Sequence, residues 1–121
     1  MTDTISKVIR GQVIFQSLFA LYFIFLSWQL LSPVTIIKVG EWDKLYHFIG
    51  FGALGTSAVL AFLHKSCARH LAIALICYAA LTEVIQYFVP GRSFSVLDWL
   101  ADTAGILVAI MIVPAIYKRL F

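Results

Sequence analysis

The sequence predicts an all-α membrane protein, a bundle of four transmembrane helices that run up and down between short loops. Of its 121 residues, 62% are hydrophobic and only 12% are charged, and the mean hydropathy is +0.96. A soluble domain of this length needs more polar residues to cover its surface. The apolar residues also form four long blocks, each close to the roughly 20 residues that a spanning helix requires. Little of the chain lies between these blocks, so residues 1–121 are predicted to form one membrane domain.

The four apolar blocks place the predicted helices at about 11–31, 45–64, 70–89 and 96–117. The first block follows Lys7 and Arg10, as the apolar region of a signal peptide follows its basic residues. It is too long for such a region, and Leu-Leu-Ser-Pro at residues 30–33 is a poor match to a small-residue cleavage site. We therefore expect the first block to be retained as a membrane helix.

Small residues recur at four-residue spacing on the second and fourth helices. They are Ala53, Ser57 and Ala61 on the second helix, and Ala101, Gly105 and Ala109 on the fourth. Lipid provides little hydrophobic drive between helices, so small residues that let two backbones approach closely are a common basis of association. We expect the second and fourth helices to form a tight central pair. The first helix, which is rich in phenylalanine, is expected to face lipid.

Basic residues give the predicted orientation in the membrane. Six of the nine flank alternate helix ends, namely Lys7, Arg10, Lys65, Arg69, Lys118 and Arg119. The positive-inside rule then places both termini in the cytoplasm. All three tryptophans, Trp28, Trp42 and Trp99, lie near the opposite boundary, as an aromatic belt does. The net charge of +3 is not gathered in one basic patch, so no nucleic-acid partner is predicted.

Five of the six acidic residues fall in the predicted outer half, and only Asp3 lies on the cytoplasmic side. A carboxylate in the bilayer costs about 2.5 to 3.5 kcal/mol on insertion scales, so it requires a partner or a water-filled pocket. Spacings of three and four residues place these polar side chains on shared helix faces. The predicted ligand-binding site or polar network in this leaflet consists of Asp43, Lys44, His47, Glu83, Gln86, Arg92, Asp98 and Asp102.

Three segments that contain these residues resemble the VanZ-like family of membrane proteins. Residues 43–48 match a D-K-x-x-H-F helix start, 83–92 an E-x-x-Q helix end with a P-x-R turn, and 98–105 a D-x-x-x-N-x-x-G helix. Asp102 stands where the family usually has Asn. The resemblance implies an integral protein of the bacterial inner membrane and cell envelope, in a family whose founding member is linked to teicoplanin-type antibiotic resistance. Family membership alone does not transfer that resistance to this chain.

The predicted partners are membrane lipid and an anionic or glycan-bearing envelope ligand, such as a lipid headgroup, a peptidoglycan-related molecule or a glycopeptide. Lys44, His47 and Arg92 would donate hydrogen bonds to this ligand, and the acids would orient the donors. In a first alternative, Glu83, Asp98 and Arg92 form a buried ion-pair network within a purely structural scaffold.

The acids and the histidine also have the chemistry of an acid–base or metal-dependent hydrolase acting on a lipid phosphate, which is a second alternative. No HExxH, G-x-S-x-G or CxxC motif selects such an enzyme, and Ser93 and Ser95 are better explained as helix N-caps. The sequence thus predicts neither a metal nor a cofactor and leaves enzymatic activity and oligomeric state open. A proton-coupled carrier is a third alternative, although four helices without an inverted repeat suit a carrier poorly.

Overall fold

The computed structural model describes residues 1–33, 42–62 and 67–120, which form four helices and no strand. The helices are α1 (Thr2–Leu31), α2 (Asp43–Ala61), α3 (Ala68–Gln86) and α4 (Val96–Leu120). The predicted all-α, four-helix architecture is confirmed. Three of these helices, α1, α3 and α4, are long and apolar enough to cross a membrane. The 19-residue α2 carries Asp43, Lys44 and His47 in its first turns.

Two helix boundaries differ from the prediction for local reasons. The apolar pattern placed the start of the first helix near residue 11. The more polar residues before that position are also helical, so α1 begins at Thr2. There Lys7 forms an exposed ion pair with Asp3 at 3.1 Å, a contact between neighbouring turns that favours the helix. α3 ends at Gln86, before the predicted residue 89, and Gly91 then takes the left-handed conformation (φ 79°) within the expected Pro90-Gly91 turn. The predicted end of the second helix near residue 64 lies outside the described residues, as do Lys38 and Lys65.

α2 and α4 run parallel and form the most extensive helix contact among the described residues. Their backbones meet at Gly105, where an added Cβ would lie 2.3 Å from the carbonyl oxygen of Phe48 and 2.9 Å from the nitrogen of Gly52. One turn further along, Gly55 packs against Ala109. On α4 the contact includes the predicted small residues Gly105 and Ala109.

On α2 the contact face differs from the predicted one. It runs through Gly52 and Gly55, whereas the predicted Ala53 is exposed. Spacing by four residues alone does not fix the face, because a helix contact follows both three- and four-residue steps.

The core lies around α2, which packs against α1 on one side and α4 on the other. Its centre is formed by Phe51, Leu54 and Ile106, which are fully buried. α1 contributes Leu26 and Leu30 to this core, and its remaining apolar side chains are largely exposed. α2, which begins with Asp43 and Lys44, is therefore the most enclosed of the four.

Candidate functional site

One end of the bundle, called the site end here, is where α1 and α3 finish and where α2 and α4 begin. Contacts between helices bring six of the eight predicted residues together there. We call these six the acid cluster: Asp43, Lys44, His47, Glu83, Asp98 and Asp102. The other two predicted residues, Gln86 and Arg92, lie at the same end but bind elsewhere.

The direction of α2 and α4 explains why acids occupy their first turns. Asp43 is the first residue of α2, and Asp98 is the third residue of α4. The N-terminus of a helix carries a partial positive charge, which stabilises a carboxylate within the first turn. Because the two helices are parallel and in close contact, both acids come to the same end of the bundle.

His47 lies at the centre of the acid cluster, between acids of two helices. Its Nδ1 lies 2.8 Å from Asp102 Oδ1, within hydrogen-bonding distance. Its Nε2 lies 3.5 Å from Asp98 Oδ2 and 3.8 Å from Asp43 Oδ1. Both ring nitrogens therefore face carboxylates, which fixes the orientation of the imidazole.

Lys44 lies on the exposed side of the cluster. Its ammonium forms a salt bridge with Asp98 and lies 3.8 Å from Asp43 Oδ2. The Lys44 side chain is 47% exposed, whereas that of Asp98 is 10% exposed. Asp98 thus contacts both basic residues of the cluster and joins the exposed part to the buried part.

Glu83 reaches the cluster from α3 and stabilises the beginning of α4. Ser95 is the N-cap of α4, since its Oγ accepts a hydrogen bond from the Asp98 backbone N–H at 3.2 Å. The backbone N–H of Ser95 in turn donates to Glu83 Oε2 at 3.1 Å. In a capping box the acid three residues after the cap accepts this bond. Here Asp98 occupies that position but faces Lys44 and His47, and Glu83 from another helix takes over the role.

Two carboxylate oxygens in the deepest part of the cluster accept no hydrogen bond from the described residues. They are Glu83 Oε1 and Asp102 Oδ2. Glu83 is 1% exposed and Asp102 is fully buried. A buried carboxylate oxygen without a partner is unfavourable, and such groups in proteins are generally paired or bound to metal ions. These atoms have the capacity to accept a hydrogen bond or to ligate a cation.

Gln86 and Arg92 bind the end of α1 rather than the acid cluster. Arg92 donates from Nη2 to the carbonyl of Gln29 at 2.7 Å and from Nε to the carbonyl of Ser32 at 3.1 Å. Gln86 donates to the carbonyl of Leu30 at 2.8 Å. The last carbonyls of a helix lack partners within it, and a cation nearby also interacts favourably with the helix dipole. These two side chains therefore fasten α1 to α3 and to the turn that follows α3.

The structure changes the expected roles of the basic residues. We expected Arg92 to pair with Glu83 and Asp98 or to bind the ligand, but no ion pair joins it to either acid in the described part of the chain. Every residue has a backbone carbonyl, so no sequence motif identifies the carbonyls at the end of α1 as the partners of Arg92. Ser95 was expected only as a cap, and its bond to Glu83 shows that it also links α3 to α4.

The fold and the acid cluster together define a class of protein: a small four-helix bundle, three of whose helices are long and apolar enough to span a membrane, with an acid-rich site at one end. Within this class the chain belongs to the VanZ/LLP1 family, since the family model matches residues 3–117. The match extends well beyond the segments between residues 43 and 105 that carry the resemblance. Neither a curated protein nor a solved structure matches the chain.

Proposed function

We propose that the chain binds the polar headgroup of an envelope component at the acid cluster. The supporting observation is the gradient of exposure through the cluster. The side chains of Lys44 and Asp43 are 47% and 40% exposed, those of His47 and Asp98 are 10% exposed, and that of Asp102 is fully buried. A ligand can reach the outer residues directly, while the buried residues hold them in position.

The balance of charge favours a ligand that donates hydrogen bonds. The cluster contains four carboxylates against one ammonium and one imidazole, and Arg92 is engaged with α1. Carboxylate oxygens accept hydrogen bonds from hydroxyl and ammonium groups, and they repel phosphate. We therefore favour a glycan-bearing or amine-bearing headgroup, as peptidoglycan-related lipids and glycopeptides carry, over a purely anionic lipid.

We further propose that the site end faces outwards from the inner membrane of a bacterium, with both termini in the cytoplasm. Lys7, Lys118 and Arg119 lie on helix segments at the opposite end, where the positive-inside rule expects bases in the cytoplasm. At the site end Trp42 and Tyr46 are 65% and 59% exposed. Such side chains, apolar with one polar atom, suit the boundary between lipid and water.

Binding to the full chain in lipid nanodiscs tests the proposed function. The probes are teicoplanin, a neutral glycolipid and phosphatidylglycerol, and the variant is Lys44→Ala. We expect the first two probes to bind more tightly than the third. A hydroxyl group that donates to a carboxylate can also accept a hydrogen bond from the half-exposed Lys44 ammonium. Lys44→Ala should therefore weaken their binding about fivefold, the equivalent of about 1 kcal/mol for a charged hydrogen bond.

Lys7→Ala is the matched control, because Lys7 also pairs with an aspartate but lies at the opposite end of the bundle. It should bind the probes as the unmodified chain does. The proposed function fails if no probe binds, or if Lys44→Ala and Lys7→Ala bind equally well.

A structural scaffold is the second candidate, and the links between helices favour it. Gln86, Arg92 and Glu83 each bond to the backbone of another segment, so much of the polar chemistry stabilises the bundle. A scaffold predicts that Lys44→Ala lowers the unfolding temperature and that no probe raises it. Thermal unfolding with and without each probe therefore separates the two candidates.

A further inference from the structure

The buried part of the acid cluster contains a candidate metal site. We propose that His47, Glu83 and Asp102 bind a divalent transition-metal ion of the Zn²⁺ type. The three residues come from α2, α3 and α4, and one ligand atom from each lies within 4.8 Å of the others. On a tetrahedral ion with bonds of about 2.1 Å, ligand atoms are about 3.4 Å apart. Side-chain adjustments of roughly 1 Å or less would bring the three atoms to that spacing.

The unpartnered oxygens are the second, independent observation for this site. Glu83 Oε1 and Asp102 Oδ2 belong to two of the three residues, and both residues are at least 99% buried. A polar atom at such depth requires a partner, and the described residues provide none. A metal ion would satisfy these oxygens without the need for a further side chain.

The charges in the cluster also call for a cation. The lysine and the arginine that the structure describes at the site end are already engaged, since Lys44 binds Asp98 and Arg92 binds the end of α1. Among the described residues, His47 is therefore the main basic partner of Glu83 and Asp102. A divalent ion would neutralise two carboxylates in this water-poor environment, where unbalanced charge is most costly.

The geometry of His47 suits a metal ligand. In the structure Nδ1 faces Asp102 Oδ1, a contact that requires one proton between the two atoms. Metal binding at Nδ1 would displace that proton, which would pass to Nε2 where that nitrogen lacks a hydrogen and otherwise to solvent. The other nitrogen, Nε2, would then carry the ring hydrogen and donate it towards Asp98, now 3.5 Å away. Histidine ligands of metals commonly donate their second N–H to a carboxylate, which fixes the ring.

The donor set indicates the kind of ion. One imidazole nitrogen with two carboxylate oxygens suits Zn²⁺ and its neighbours in the first transition row, whereas Mg²⁺ prefers oxygen ligands alone. Three protein ligands leave a fourth position open, as in catalytic zinc sites. An oxygen of the envelope ligand could occupy that position, and in this respect the inference rests on the proposed function.

A second group of possible ligands, Asp43, His47 and Asp98, shares the histidine but is the weaker candidate. Lys44 already neutralises Asp98, and a metal ion there would have to displace its ammonium. Asp43 is also 40% exposed, so water can satisfy its oxygens. The buried group is free of both objections.

Metal content measured on the purified full chain tests the inference. The chain in nanodiscs is stripped with a chelator, equilibrated with Zn²⁺, freed of unbound metal and analysed by elemental mass spectrometry. We expect close to one Zn²⁺ per chain. Glu83→Gln and Asp102→Asn should each weaken Zn²⁺ binding at least tenfold, since removal of even a residue that supports a ligand has such an effect.

Two controls decide between the ligand groups and guard against misfolding. Asp3→Asn alters an exposed acid at the opposite end, and Asp43→Asn alters the weaker group. Both should retain Zn²⁺, and circular dichroism should show equal helix content in all four variants. The inference is overturned if the unmodified chain binds no more Zn²⁺ than Asp102→Asn, or if Asp43→Asn alone loses the ion.

The test separates failure of this inference from failure of the proposed function. Zn²⁺ binding is measured without any envelope ligand, and binding of teicoplanin or glycolipid is measured with and without chelator. Absence of Zn²⁺ together with retained probe binding would refute the metal site alone. Zn²⁺ binding without any probe binding would refute the proposed function alone.

Discussion

Substitution of Gly105 by alanine tests the close contact on which the acid cluster depends. The new Cβ would lie 2.3 Å from the Phe48 carbonyl oxygen and 2.9 Å from the Gly52 nitrogen, whereas ordinary contacts begin near 3.4 Å. Both clashing atoms belong to the backbone of α2, so a side-chain rotation cannot relieve them. The two helices must separate by roughly 1 Å, an overpacking that typically costs about 1 to 3 kcal/mol.

A second glycine provides the reference for this prediction. Gly11 on α1 has no atom within 4 Å of an added Cβ. Alanine at that position should be neutral or should stabilise the helix by up to about 1 kcal/mol. Gly105→Ala gains the same helix propensity but meets the clash. Because the gain cancels, we expect it to be about 1 to 3 kcal/mol less stable than Gly11→Ala.

The assay is reversible unfolding of the two variants in the same micelles, followed by circular dichroism. Separation of α2 from α4 should also lengthen the contact between His47 and Asp102, which lies one turn from Gly105. Gly105→Ala is therefore expected to lose affinity for Zn²⁺ and for the envelope probes as well. Equal unfolding free energies for Gly105→Ala and Gly11→Ala would refute the reasoning, because the helices would then tolerate the added methyl group.

Two further predictions concern the links at the site end. Arg92→Ala removes both hydrogen bonds to the carbonyls at the end of α1, so we expect a loss of about 2 kcal/mol in unfolding free energy and faster amide exchange in the last turn of α1. Arg10→Ala, an exposed arginine at the other end of α1, should leave both quantities unchanged. Ser95→Ala removes the N-cap of α4 and should lower the unfolding free energy by about 1 kcal/mol, whereas Ser93→Ala, at an exposed position without that bond, should have little effect.

The helices could be predicted from the sequence because lipid imposes a simple requirement. Each span must be apolar over about 20 residues, and its backbone N–H and C=O groups must form their hydrogen bonds within the helix. The number of consecutive apolar residues can be counted in the sequence, so the spans can be predicted without a structure. The additional turns of α1 before residue 11 lie outside that requirement, since a helix can extend into water. The apolar pattern could not reveal them.

The membership of the acid cluster could be predicted only in part. Asp43 with His47, and Asp98 with Asp102, were placed by helical spacing and by the cost of isolated charge in lipid. Which residues then pair depends on the rotation of each helix, and that rotation is set by packing at Gly52, Gly55 and Gly105. The small-residue spacing suggested a neighbouring face of α2.

Arg92 illustrates why partners are harder to predict than positions. Its charge and its place in the turn after α3 were consistent with a bond to Glu83, to Asp98 or to a ligand. The acceptors it uses are main-chain carbonyls of Gln29 and Ser32, which lie 63 and 60 residues earlier in the chain. Main-chain acceptors have no sequence signature, and any helix end offers them.

The stability of the bundle and the chemistry of the site depend on the same residues, which affects how any loss of function is interpreted. α2 begins with polar residues and is nevertheless the most enclosed helix. Its first turns are stabilised by Asp98 and Asp102, which contact Lys44 and His47. Removal of one member of such a group leaves its partners buried and unpaired, which destabilises the fold whatever the function is. Substitutions that keep shape and hydrogen bonding, Asp102→Asn and Glu83→Gln, are therefore more informative than alanine. In Asp102→Asn the side-chain amide could still form a hydrogen bond with His47 but would carry no charge to bind a cation. If this variant folds normally and does not bind Zn²⁺, the carboxylate of Asp102 is needed for metal binding and not only for the stability of the bundle.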